Sequence, residues 1–159
     1  MSRLIVVDLD GVLFDTSKRY RLCEDESGGN RRAFWECYQS PKYMDLDEPK
    51  GEVIDCVKRL SNTGVLIVLS GRSVRQREET EEQLRSIGLE PREVVLRGEK
   101  DFRKDYEFKL AHIQNLLRKY RAEELVIVED SERVIERVKS ELSGLVRVRV
   151  ECVNGIQNR

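Results

Sequence analysis

Apolar runs at residues 4–7, 65–69, 93–96, 125–128 and 145–150 alternate with stretches of helical spacing at 51–60, 74–87, 106–120 and 131–142. Short apolar runs bounded by turn residues read as buried strands. Apolar positions recurring every three or four residues mark helices with one buried face. Strand and helix in strict alternation fold as a parallel sheet with helices on both faces. The expected fold class is therefore α/β, a three-layer Rossmann-like domain with a central parallel sheet, and 159 residues fit one such unit over 1–159. Gly64 and Gly88 follow two of the helical stretches, where a C-terminal cap glycine is expected, and Pro91 stops the second helix from continuing.

In a sheet of this kind, ligands bind beyond the carboxyl ends of the strands. Three groups of polar residues fall at those ends. Asp8 and Asp10 follow the first strand in DLDGVLFDT, with Gly11 allowing a sharp turn. Two carboxylates so spaced can share a divalent cation and a substrate, although Asp and Gly are also ordinary turn residues. Ser70, Gly71 and Arg72 end the second strand in VLSGRS, where a hydroxyl and backbone N–H groups can hold an anion, while Ser70 or Ser73 could equally cap the next helix. Glu129, Asp130 and Ser131 end the fourth strand in VIVEDSERV, offering hard oxygen ligands of the kind magnesium prefers, or a helix cap. Acids, a hydroxyl and N–H groups on one sheet edge fit phosphoryl transfer better than capping alone.

Residues 17–50 break the alternation. They hold Gly28, Gly29, Pro41 and most of the large aromatics, Phe34, Trp35, Tyr38 and Tyr43. So long a stretch without structure is uncommon, so it is expected to be a small helical cap insertion lying over the site. Its aromatics are expected to form the insertion's own core; the alternative is that one or two stack on a base.

Other chemistries are disfavoured. The one histidine, His112, leaves little room for His-based catalysis or metal binding. Cys23, Cys37, Cys56 and Cys152 form no CxxC pair and are expected to be free thiols of a reducing, cytoplasmic compartment. No stretch approaches a membrane span, so no membrane partner is expected. The net charge of −1 forces no nucleic-acid partner.

With those residues in view, DLDGVLFDT resembles the first motif of the haloacid dehalogenase (HAD) superfamily, LSGR its second, Lys109 its third and VEDSERV its fourth. The resemblance implies a HAD-like fold and a Mg2+-dependent phosphatase. Asp8 would be the nucleophile, forming an aspartyl-phosphate, and Asp10 the general acid and base. Ser70 would hydrogen-bond the phosphoryl group and Lys109 neutralise its charge. The metal would be held by Asp8, the backbone carbonyl of Asp10, and Asp130, with Glu129 as ligand or neighbour. Asp10 points to phosphate esters, because superfamily members that remove halogen lack that carboxylate.

FRKDYEFK, residues 102–109, is similar to the matching stretch of the 3′-phosphatase domain of phage-type polynucleotide kinase-phosphatases, where an arginine precedes the motif lysine as Arg103 precedes Lys109. The resemblance implies substrate contacts from Gly71, Arg72 and Arg103. The Glu129-Asp130-Ser131 fourth motif departs from that subgroup's two aspartates and arginine, toward sugar-phosphate enzymes. Basic residues after each motif (Lys18, Arg19, Arg21; Arg72, Arg75, Arg77; Arg97, Lys100, Arg103, Lys104) would make a positive rim for a phosphate-rich substrate, or else a surface balanced by acids such as Glu78 and Glu82. The expected substrate is a polynucleotide 3′-phosphate or a nucleotide. No GxxxxGK[ST] kinase loop occurs, so a kinase partner would be a separate chain. A phosphatase of small sugar phosphates and a non-catalytic binding module on the same fold stand as alternatives.

Overall fold

The computed structural model describes residues 2–153; Met1 and residues 154–159 of the expected domain lie outside the described residues. In chain order the elements are β1 (Arg3–Val7), β2 (Phe14–Asp15), α1 (Ser17–Ser27), α2 (Arg31–Tyr38), a 3-10 turn at Met44–Leu46, β3 (Glu48–Pro49), α3 (Gly51–Ser61), β4 (Val65–Ser73), a 3-10 turn at Val74–Gln76, α4 (Arg77–Ser86), β5 (Glu93–Arg97), α5 (Asp105–Tyr120), β6 (Glu124–Val128), α6 (Glu132–Leu142) and β7 (Arg147–Val150).

Five strands form one sheet in the order β5-β4-β1-β6-β7, every pair parallel. The chain builds outward from β1 through β4 to β5, then crosses to β6 and β7 on the other side. The reversal falls at β1, so the crevice between the diverging connections opens over that strand's carboxyl end. β1 and β6 are buried on both faces, which explains their unbroken apolar sequence. Leu4, Val6, Leu125 and Ile127 face α5 and α6, packing on Phe108, Ile113, Val134 and Val138. Ile5, Val7, Val126 and Val128 belong to the opposite core with Ile54 and Val57 of α3 and Leu84 of α4.

Two local readings are corrected and a third holds. Gly64 is no cap: it lies where β4 begins beside β1, and a Cβ there would come 2.4 Å from the Arg3 carbonyl oxygen. Gly88 does terminate α4, with φ +77° and its N–H on the Arg85 carbonyl. Helix α4 begins at Arg77, later than its apolar pattern, because Ser73 and Gln76 form a capping box that winds Val74–Gln76 as a 3-10 turn.

The cysteines are not free. Cys23 bridges to Cys37 and Cys56 to Cys152. The sequence hides this because each pair comes together only by folding. The first joins α1 to α2; the second joins α3 to the segment after β7. Disulfides of this kind occur in oxidising compartments and in the interiors of hyperthermophilic cells, not in ordinary reducing cytosol. Among the described residues no helix is long and apolar enough to cross a membrane.

Segment 17–50 leaves the sheet layer between β2 and β3, which pair antiparallel through Phe14–Pro49 and Asp15–Glu48. Phe34 is buried at its centre, with Tyr20 and Trp35 edge-on and Tyr38 stacked at 5.5 Å. Tyr43 lies apart, hydrogen-bonded to Glu26.

Candidate active site

Asp8 extends the β1 ladder by one bond, its N–H donating to the Val128 carbonyl at 3.1 Å. Its carboxylate is held at both oxygens: Oδ1 accepts from the Leu9 N–H at 2.8 Å, and Oδ2 lies 3.1 Å from Lys109 Nζ. Lys109 is buried on α5 and also meets Glu129 Oε1 at 2.6 Å and Asp105 Oδ2 at 3.3 Å. Glu129 Oε2 accepts the N–H groups of Asp130 and Ser131, both at 3.1 Å, which shapes the turn after β6. Ser131 caps α6 through the Val134 N–H.

One ammonium thus faces three carboxylates. Burial pushes the Asp8 carboxyl up to about 8, against the pull of Lys109. Burial also raises the Glu129 carboxyl, again opposed by Lys109. For Lys109 burial acts downward, but Asp8, Glu129 and Asp105 together hold the ammonium well above its usual range. A cluster with this excess of negative charge suits a divalent cation. Asp8, Glu129 and Asp130 can each offer an oxygen with all three within 4.8 Å of one another. The space beside them is kept by Gly11: at φ +80° it adopts the left-handed conformation, and a Cβ would stand 2.9 Å from Asp130 Oδ2. An all-oxygen carboxylate set fits magnesium.

Asp10 is not in that group. Its Oδ1 takes the guanidinium groups of Arg19 at 3.1 Å and Arg72 at 2.8 Å. Both arginines reach on to Asp47, Arg19 Nε to Oδ1 at 3.0 Å and Arg72 Nη2 to Oδ2 at 3.3 Å. Arg72 Nη1 donates further to Thr80 and Gln83, and Arg19 Nη1 to the Tyr38 carbonyl. These contacts correct the reading of Arg19 and Arg72 as rim residues: each is buried and saturated with partners.

Ser70 is buried within β4, three residues before its end, its Oγ accepting the Arg72 N–H at 3.1 Å; the cap of the next turn is Ser73. Asp8, Asp10, Ser70, Gly71, Arg72 and Lys109 all border one open cleft of about 980 Å³, with Arg103 on its outer lip. Glu129 and Asp130 adjoin Asp8 from the β6 side. The outer cations are matched by acids: Arg75 by Glu99 at 3.8 Å, Arg103 by Asp101 at 2.6 Å, Arg77 by Glu81 at 3.6 Å and Lys18 by Glu48 at 2.8 Å. Arg75, Arg103, Arg77 and Lys18 are therefore ion-paired members of the expected positive rim.

Sequence reasoning passed over Asp47 and Asp105. Asp105 carried a usable signal, standing one helical turn before Lys109. Asp47 carried none that separates it from Asp45 or Glu48.

A family model for the phosphatase domain of polynucleotide kinase PNKP matches residues 2–152. No curated protein matches. Among solved structures, that of a Pnkp1/Rnl/Hen1 complex aligns with TM-score 0.62 and 23% identity, over 95% of this chain and 46% of that one. The chain therefore spans about half of that relative. A haloacid dehalogenase-like hydrolase, SP0104 of Streptococcus pneumoniae, aligns with TM-score 0.64 and 13% identity over 94% of this chain and 83% of that one. A HAD-superfamily hydrolase of subfamily IA from Geobacter sulfurreducens gives TM-score 0.59 and 17% identity over 94% and 89%.

Proposed function

The chain belongs to the family of PNKP phosphatase domains, HAD-type phosphatases, and on that premise we propose that it is a Mg2+-dependent phosphomonoesterase acting on polynucleotide 3′-phosphate ends through an aspartyl-phosphate at Asp8. The observation that carries this reading is the setting of Asp8: a carboxylate 12% exposed at a cleft floor, 3.1 Å from Lys109 and within a three-carboxylate cluster.

In the proposed reaction an Asp8 oxygen attacks phosphorus, forming the acyl-phosphate bond as the P–O bond to the leaving 3′-oxygen breaks. Asp10 gives its proton to that oxygen. Water then attacks phosphorus, Asp10 takes its proton, and the Asp8–phosphorus bond breaks to release inorganic phosphate. Arg19 and Arg72 hold Asp10 in place. Lys109 and Ser70 face the phosphoryl oxygens. Asp8 and Asp130 would hold magnesium, with Glu129 beside them, and the ion would supply charge neutralisation. Residues 17–50 would serve as a small cap, with Arg103 at the mouth. The relative seen with Rnl and Hen1 supports looking for a kinase partner.

The test is phosphate release from 3′-phosphorylated oligonucleotide, mononucleotides and sugar phosphates, with and without magnesium. The oligonucleotide is expected to give the highest kcat/KM. A sugar phosphate ahead by more than about tenfold overturns the substrate, and full activity of Asp8→Asn overturns the mechanism.

A further inference from the structure

Phe102 is 88% exposed, the most exposed large apolar side chain of the described residues. It sits in the loop between β5 and α5, on the lip of the cleft that leads down to Asp8. An apolar ring so exposed adds almost nothing to folding. Nor is its display a product of slack loop geometry, because both chain neighbours are clasped. Arg97 Nη1 donates to the carbonyl oxygens of Asp101 at 3.2 Å and of Arg103 at 2.8 Å. The Arg103 side chain closes back on the Asp101 carboxylate with bonds of 3.0 and 2.6 Å. The backbone on either side of Phe102 is thereby fixed, with its ring left in solvent.

A second aromatic borders the same cleft from α2. Trp35 is 41% exposed, held by edge contacts to Phe34 and Tyr38 at 5.0 and 6.1 Å. Two aromatic rings, Phe102 on a fixed loop and Trp35 on α2, therefore border the cleft. Beside them Arg75 is paired with Glu99 and Arg103 with Asp101. What an exposed ring on a fixed loop binds well is another flat ring.

Resting on the function proposed above, we infer that Phe102 is a specificity-determining platform that stacks on the terminal nucleobase of a single-stranded 3′-phosphorylated end, with Trp35 on the α2 side of the same cleft. A base–aromatic stack tolerates any sequence, so the site would select for a terminal base without selecting which one.

The experiment compares wild type, Phe102→Ala and Phe102→Trp on two oligonucleotides, one with a normal 3′-phosphorylated terminal nucleotide and one whose terminal nucleotide is abasic. Phe102→Ala is expected to raise KM for the normal end about tenfold with kcat little changed, and Phe102→Trp to restore it. Wild type is expected to prefer the normal end about tenfold, and Phe102→Ala to lose that preference. Thermal melting should be the same for all three. Wild type that turns over the normal end with the same KM as Phe102→Ala overturns the platform alone. Wild type that ignores oligonucleotides while hydrolysing small phosphate esters overturns the function and the platform together.

Discussion

Asp47 and Arg72 meet at 3.3 Å with essentially no exposed side-chain surface on either. Asp47 lies in the segment between β1 and α3, and Arg72 lies one residue before the end of β4, bordering the cleft. Through this contact and its twin at Arg19, an acid from segment 17–50 governs how Asp10 is held.

Replacing Asp47 by Ala leaves two buried guanidinium groups sharing Asp10. Removing one partner of a buried ion pair costs about 3 kcal/mol or more. Denaturant melts should show that loss, and activity should fall through kcat as Asp10 swings free. Wild-type stability in Asp47→Ala would mean that water, not Asp47, satisfies the arginines.

Asp8→Asn keeps the shape of the floor while removing the carboxylate proposed to attack phosphorus. Phosphate release is expected to drop by at least about 10³-fold with melting little affected. Retention of more than a tenth of the activity would remove Asp8 from the role of nucleophile.

Gly11→Ala puts a methyl 2.9 Å from Asp130 Oδ2 in a left-handed backbone conformation. The expected outcome is a variant about 1 kcal/mol less stable that needs several-fold more magnesium for half-maximal activity. A magnesium titration superimposable on wild type would show that Asp130 does not hold the ion.

His112 packs edge-on to Phe108 at 4.7 Å, and burial, helped by Arg103, depresses its imidazole below the usual value of 6.5. The unfolded chain then binds the proton more tightly than the folded one. Stability should rise with pH from the folded pKa up to about 6.5 and level off above, and should fall in acid. As the one histidine, it is directly read by NMR titration. His112→Gln should flatten that part of the pH–stability curve; a titration midpoint above 6.5 would reverse the sign.

The two disulfides should separate in their effects. Cys56–Cys152 spans 96 residues and Cys23–Cys37 spans 14, so loop-closure entropy gives the long bridge about 4–5 kcal/mol and the short one about 3. The Cys56→Ser, Cys152→Ser pair should melt lower. Only the Cys23→Ser, Cys37→Ser pair should also raise KM, since α2 borders the cleft. Identical melting curves for the two pairs would refute the assignment.

The sheet was legible because β1 and β6 need unbroken apolar sequence to be buried on both faces, and that pattern shows in any reading. The grouping of Asp8 with Glu129 and Asp130 followed from the rule for strand ends. What stayed hidden depends on long-range pairing. Arg19 reads as one more surface cation until its partners Asp10 and Asp47 come from either side. The cysteines look solitary because 96 residues separate one pair. The pairing of Arg75 with Glu99 and of Arg103 with Asp101 appears only once the loops fold.

The long bridge also changes what a break in the backbone means. From Cys56 to Cys152 the chain is a covalent ring that contains β4 to β7, and with them Ser70, Lys109, Glu129 and Asp130. A single protease cut at the Phe102 loop would open the ring without releasing a fragment. The nicked protein would run as one piece until a reductant was added, its two fragments still paired through β1 and β6.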